Sequence, residues 1–408
     1  MTRRWRTVAS ATGLLAPNGS TRPTIFAEMT ALAARNGAAN LGQGFPDADG
    51  PRWIREVAVG ALHSGQNQYP PGRGTLDLRC AIAEHQMRHY GLELDPETEV
   101  LVTAGATEAI TAAILALTGP GDEVVTFEPF YDSHAAAIAM AGARHVAVPL
   151  RPGDEGFRLD QEALRSAVTP NTRVILVNSP HNPTGTVLTA AELTAIAEVA
   201  CEADVTVVTD EVYEHLTFDG AQHVPLATLP GMRERTLTIS SAGKTFSLTG
   251  WKVGWASGPA ELIEAVLAIK QFLTYSGGAP FQPAIAKALM RGDDDIAELR
   301  ASLDERRELL LDGLHAAGFV TVRPAGTYFV CADATPFLSE SAPDGAALAR
   351  ELPGRIGVAG VPLSAFCIEG SKTAQNLSNW LRFTFVKDAA TLRTAIDRLS
   401  RLRAAVRA

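Results

Sequence analysis

Residues 173–210 read RVILVNSPHNPTGTVLTAAELTAIAEVACEADVTVVTD. The stretch opens on a continuous apolar run, Arg173 to Asn178, and closes on a second, Val205 to Thr209. Between them lie a loop stiffened by Pro180 and Pro183 and a helical pattern near Ala190 to Glu202. Unbroken Val/Ile/Leu runs belong to strands buried on both faces, as in a largely parallel sheet. Strand, helix and strand in succession point to an α/β core.

The same alternation extends in both directions. Val100 to Thr103 reads as a strand and Ala106 to Leu117 as a helix. Glu123 to Phe127 is a strand and His134 to Ala141 a helix. Thr236 to Ser240 and Val253 to Ser257 are further strands. The C-terminal third differs. A long amphipathic helix over about Asp293 to Ala317 precedes short strands at Thr321 to Val322, Tyr328 to Ala332 and Arg382 to Val386. A last helix runs over Thr391 to Ala405. The expected architecture is a large domain with a mostly parallel sheet between helices, plus a smaller α+β domain. The chain has 408 residues, beyond the roughly 250–300 at which single cores split. The expected division is an N-terminal arm (1–45) packing with the small domain, a large domain (46–295) and a small C-terminal domain (296–408).

Apolar residues make up 46% of the chain and charged residues 20%, an ordinary globular balance. The net charge of -9 offers no basic footprint for nucleic acid. Cys80, Cys201, Cys331 and Cys367 form no CxxC pair, which fits a reducing, cytoplasmic setting. The nine histidines look scattered and no HExxH occurs, so no metal site is expected. The basic start MTRRWRTVAS is followed only by a weak apolar stretch around Leu14 and Leu15, broken by Gly13 and Pro17, and does not read as a signal peptide. No run reaches the ~18 apolar residues of a membrane span.

Four loops at strand ends carry the chemistry. Ser241-Ala-Gly-Lys244-Thr245 resembles a phosphate-binding P-loop at first glance, but that loop needs a glycine where Thr238 stands. Small residues precede Lys244, while Phe246 and Trp251 follow it. An apolar setting disfavours the ammonium form and leaves a nucleophilic amine able to bond an aldehyde. Lys252 follows at anion-binding range in sequence. The loop Asn178-Ser-Pro-His-Asn182-Pro183-Thr-Gly185 leaves a strand at its carboxyl end, where ligands bind in open α/β sheets. Asn182 offers an amide there, although a rigid capped turn is the plainer use of such a loop. Asp210, in Asp210-Glu-Val-Tyr213, suits a heterocyclic nitrogen cation, or else caps a helix. Thr103-Ala-Gly105-Ala106-Thr107 joins a strand to a helix, whose N-terminus favours an anion.

Taken in order, AGATEAI, EPFYD, NSPHNPTG, DEVY, SSAGKTFSLTGWKVGW and WLRFTF resemble the class I, fold type I, pyridoxal-phosphate-dependent aminotransferases. The similarity runs from LGQGFPD at Leu41 to Arg382 and beyond. SAGKTFS and TGWKVGW resemble the kynurenine and glutamine-phenylpyruvate branch. NQYPPGRG, SPHNPTG, DEVYEHL and GGAPFQPA look closer to actinobacterial N-succinyldiaminopimelate aminotransferases. Gly277 and Gly278 stand near where the kynurenine-type enzymes carry an aromatic and a histidine, which would open that side of the pocket.

The resemblance implies a role for each residue. Lys244 would bond the aldehyde carbon of pyridoxal 5'-phosphate and then move the substrate proton. Asp210 would pair with the pyridine nitrogen, while Asn182 and Tyr213 would hydrogen-bond the phenolic oxygen. Tyr131 would stack on the ring. Ala106, Thr107, Ser241 and Lys252 would hold the phosphate, joined by Tyr69 from a neighbouring subunit in a homodimer. Arg382 would clamp the substrate α-carboxylate, its planar fork matching two oxygens. Gly44 would lie beside that carboxylate and Phe26 would line the side-chain pocket. The expected activity is that of an N-succinyldiaminopimelate aminotransferase, transferring an amino group between an L-amino acid, glutamate as donor, and a 2-oxo acid. The alternatives are a broad methionine/kynurenine/glutamine aminotransferase, a carbon–sulfur β-lyase using the same Lys244, and a non-enzymatic regulator on this fold.

Overall fold

The computed structural model describes residues 4–16, 18–153 and 156–406. Met1 to Arg3 of the basic start, and Pro17, lie outside the described residues. The large sheet runs in the order Val100–Thr103, Gly254–Ser257, Thr236–Ser241, Thr206–Asp210, Thr172–Asn178, Glu123–Glu128, Arg144–Gly153, Gly156–Leu159. The five strands from Thr236–Ser241 to Arg144–Gly153 are mutually parallel. Gly254–Ser257 runs antiparallel to both its neighbours, and Gly156–Leu159 folds back on Arg144–Gly153. Glu123–Glu128, Thr236–Ser241 and Gly254–Ser257 are buried at every residue, their threonines and serines included, as strands covered on both faces are.

Arg144–Gly153 is a strand that the apolar runs do not reveal. It alternates between half-buried and buried over its middle and carries Pro149 and Arg151. Its pairing with the outermost strand covers only Leu150 to Gly153, so at Pro149 it is the edge of the sheet, where a proline is tolerated.

The helices begin where local chemistry satisfies their free N–H groups. Thr189 and Glu192 form a reciprocal capping box at the start of Ala190–Glu202. Asp293, Asp294 and Asp295 fill the first turn of the 25-residue helix Asp293–Ala317, and Gly318 ends it at φ +107°.

The C-terminal part holds a four-stranded antiparallel sheet in the order Val320–Val322, Phe329–Asp333, Trp380–Thr384, Val361–Pro362. Within residues 1–45, Ala39–Asn40 runs parallel to Val358–Ala359. The helix Ile25–Asn36 packs on Gly345–Arg355, whereas Arg4–Ala11 lies against Asp132–Ala141 of the large layer. Arg307, fully buried, ties the layers together by pairing with Asp219 at 2.8 Å and lying 4.7 Å over the Phe218 ring. No helix among the described residues is long and apolar enough to cross a membrane.

Candidate active site

The register of the parallel strands places Asn178 opposite Asp210, and Asp210 opposite Ile239, at one edge of the sheet. Their carboxyl ends open into a cavity of about 360 Å³ between the large sheet and the small domain. Phe26, Gly44, Ala106, Thr107, Tyr131, Asn182, Asp210, Tyr213, Ser241, Lys244, Lys252 and Arg382 all line it. The sequence had singled out each of these. Tyr69 does not line it; the ring is 81% exposed and packs edge-on against Tyr275 at 5.6 Å.

Lys244 sits in the four-residue helix Ala242–Thr245 directly after its strand. Its Nζ donates to Tyr328 Oη at 3.0 Å and lies 5.7 Å above the Tyr213 ring. Tyr328 in turn donates to the carbonyl of Gly44 at 2.6 Å. A side chain at Gly44 would strike Phe329, its Cβ falling 2.7 Å from the ring. The Tyr213 phenol is held well above its ordinary pKa by burial and then by Tyr328, so it stays protonated and able to donate. Burial, with Asp132 next, pushes Tyr131 up to about 12.

No helix starts at Asp210; the chain turns instead, so the capping use of this carboxylate does not apply. Asp210 Oδ2 lies 3.2 Å from His134 Nε2, and both are buried. Asn178 donates its amide to the Asp210 carbonyl at 2.7 Å and accepts from the backbone N–H of Asn182 at 2.8 Å. Asn182 Oδ1 accepts from Arg382 Nη1 at 2.9 Å, and Arg382 Nη2 donates to the Gly42 carbonyl at 2.8 Å. Arg382 Nε is buried without a partner. The guanidinium lies 4.0 Å from the Phe329 ring centroid, 4.6 Å from that of Phe366 and 5.4 Å from that of Phe26. Burial lowers its pKa to about 10, still cationic at neutral pH. A buried, aromatic-walled cation with a spare donor is a carboxylate receptor in waiting.

The opposite end of the cavity suits a phosphate. Helix Ala106–Leu117 begins at Gly105, φ +79°, with no side chain capping it. The first N–H groups of a helix have no intrahelical acceptors and carry positive partial charge. Lys252 Nζ lies within 3.4 Å of where a Cβ on Gly105 would be. A Cβ on Gly254 would fall 2.6 Å from Gly105 C and 2.7 Å from Ala106 N, so only glycine lets this strand approach the helix start. An uncapped helix N-terminus beside an ammonium, an amine at Lys244 and a carboxylate at Asp210 together fit the three reactive ends of pyridoxal phosphate.

Tyr328, His134 and Asn178 belong to the site although none of them was singled out for a role. Tyr328 is 84 residues from Lys244 and His134 is 76 from Asp210. Asn178 alone was within reach, as the first residue of the quoted Asn-Pro loop. Gly277 and Gly278 do not line the cavity of their own chain. Gly278 adopts φ +66°, a backbone reason for glycine independent of pocket width. The histidines are less scattered than the sequence suggests: His85, His89 and His215 converge outside the cavity.

The sequence profile of the family described as aminotransferase class I and II matches residues 37–399. The chain belongs to the class I and II aminotransferases. The probable N-succinyldiaminopimelate aminotransferase of Mycobacterium tuberculosis is 56% identical over 381 residues, spanning 92% of this chain and 95% of its own. The methionine aminotransferase of Escherichia coli is 38% identical, covering 93% of this chain and 96% of its own. The solved structure of N-succinyldiaminopimelate aminotransferase from M. tuberculosis superposes with a TM-score of 0.91 at 54% identity, covering 98% of this chain and all of that one. As an aminotransferase the chain moves amino groups between amino acids and 2-oxo acids, and this family and fold depend on pyridoxal phosphate.

Proposed function

We propose that this aminotransferase holds pyridoxal 5'-phosphate in the cavity and acts on the N-succinylated diaminopimelate pair, with glutamate as the amino donor. Two observations support the chemistry: Lys244 and Arg382 face one cavity, and Arg382 keeps an unpartnered Nε there. When bound, the cofactor supplies an aldehyde for amines and a ring that draws electrons from the substrate's α-carbon. Lys244 provides the amine that bonds it and, once displaced, carries the proton at the substrate Cα. Tyr328 orients that amine. Asp210, fixed by His134 and Asn178, faces the ring nitrogen as its anionic partner. Asn182 and Tyr213 donate toward the phenolic oxygen, and Tyr131 covers the ring face. Ala106, Thr107, Ser241 and Lys252 bind the phosphate. Arg382 orients the α-carboxylate, with Gly44 close by and Phe26 on the side-chain wall; such orientation brings the reacting atoms to near-attack distance.

The substrate assignment rests on the 56% identity to the mycobacterial relative across 92% of this chain. The division into arm (1–45), large (46–295) and small (296–408) domains, and a cytoplasmic setting, belong to the same reading. The four free cysteines agree with that setting. A homodimer is part of it as well. Tyr69, Phe272 at 88% exposure and Tyr275 form an exposed aromatic group that a second subunit would cover. Steady-state assay of the holoenzyme with 2-oxoglutarate and N-succinyldiaminopimelate, methionine or kynurenine ranks the donors. The succinylated substrate is expected to have much the highest kcat/KM. A higher value for methionine or kynurenine would replace this assignment with the broad-specificity one, and pyruvate release from cysteine conjugates would reveal β-lyase activity.

A further inference from the structure

Three histidines meet on the far side of the Tyr213 segment. The helix Leu76–Tyr90 carries His85 and His89 one turn apart, hence on one face. His215 approaches from the segment that follows Asp210. Their ring centroids lie 4.5 Å (85 to 89), 4.9 Å (85 to 215) and 4.9 Å (89 to 215) apart. One ring nitrogen of each falls within 4.8 Å of those of the other two. His85 Nε2 and His215 Nε2 are 2.8 Å apart.

We infer that His85, His89 and His215 form a binding site for a divalent transition-metal ion of the zinc type. Imidazole nitrogen is the ligand such ions favour among N and O donors. Zinc–nitrogen bonds of about 2.0–2.1 Å in tetrahedral array hold the nitrogens about 3.3 Å apart, so the rings need only small rotations. A plain structural pair of histidines explains the 2.8 Å contact but not the third ring. Burial holds all three imidazoles below their ordinary pKa, helped by the neighbouring histidines at His85 and His215 and by Arg88 at His89, so neutral lone pairs are available at physiological pH. Asp293 Oδ1 lies 3.4 Å from His89 Nε2, and a carboxylate beside a ligating imidazole orients the ring. His85 is fully buried while His89 is partly exposed, which gives an ion a path from solvent and an open fourth position. None of the three lines the active-site cavity. An ion here would clamp the helix Leu76–Tyr90 to the segment that bears Asp210 and Tyr213.

The test uses holoenzyme stripped with chelator, dialysed against zinc chloride and assayed for metal and protein. The wild type is expected to retain one zinc per subunit and to gain thermal stability with zinc. His89→Ala and His215→Asn, each checked for a native circular dichroism spectrum, are expected to bind at least about tenfold more weakly, and their melting temperatures should not respond to zinc. His89→Ala is the safer variant because that ring is partly exposed. Absence of bound zinc in the wild type would overturn the site. So would wild-type binding by either variant, which would locate the ion elsewhere, for instance on the exposed Cys80 or Cys201 thiols.

Discussion

Arg382 and Asn182, 200 residues apart, share a buried hydrogen bond in which Nη1 donates to Oδ1 at 2.9 Å. The contact joins a strand of the small domain to the Asn-Pro loop of the large one, so the residues proposed to clamp the carboxylate and to bind the ring's oxygen form one unit. Both of those prolines, Pro180 and Pro183, follow cis peptide bonds.

Arg382→Ala should therefore raise KM for every amino donor, because all share the α-carboxylate. A lost charge-assisted hydrogen bond contributes about 1.5–3 kcal/mol, or roughly 10- to 150-fold in kcat/KM. Initial rates with a monocarboxylic and a dicarboxylic donor provide the check. An effect confined to the dicarboxylate would mean that Arg382 reads the distal acid instead.

Gly254→Ala drives a methyl group into the backbone at Gly105 and Ala106. Overpacking of this kind costs about 1–3 kcal/mol, and here it also displaces the N–H groups assigned to the phosphate. Lower urea stability and weaker cofactor retention in gel filtration should appear together. Unchanged cofactor affinity would detach the helix start from phosphate binding.

His134→Phe keeps the bulk beside Asp210 but removes the ring nitrogen 3.2 Å from its carboxylate. The expected result is a fall in kcat of roughly 10-fold, by analogy with other outer partners of charged groups, with KM little changed. A KM effect alone would place His134 in substrate binding rather than in positioning Asp210.

His181, fully buried and bonded through Nδ1 to Thr184 Oγ1 at 2.7 Å, is held down to about 3 by burial first and by His134 second. Its folded pKa lies below the unfolded value, so the unfolded chain binds the extra proton between about pH 6.5 and 3. Stability is therefore present above pH 6.5 and lost as pH falls through that window. Urea midpoints at pH 7 and pH 5 should drop less for His181→Gln than for the wild type, by about 1–2 kcal/mol in unfolding free energy. Parallel drops would show that this ring does not govern the acid limb.

The sequence carries the parallel sheet plainly, because strand segments such as Val174 to Asn178 are buried on both faces and so cannot alternate. It does not carry Arg144–Gly153, whose exposed ends and Pro149 break the apolar run. Eleven of the twelve cavity residues singled out from the sequence stand in short motifs and were readable there; Phe26 stands outside them. Tyr328 and His134 were not, since each acts through a partner distant in the chain and neither has a motif of its own. The histidine cluster was half visible: His85 and His89 are spaced for one helical face, but only the tertiary fold brings His215 to them.

Lys244 is the centre of this account, and covalent trapping tests it most directly. Holoenzyme is reduced with sodium borohydride, digested, and searched by mass spectrometry for the lysine that carries the reduced cofactor. The label should sit on the peptide containing Lys244 and vanish in Lys244→Ala. A label on Lys252 or Lys270, or none on a protein that binds the cofactor, would contradict the assignment.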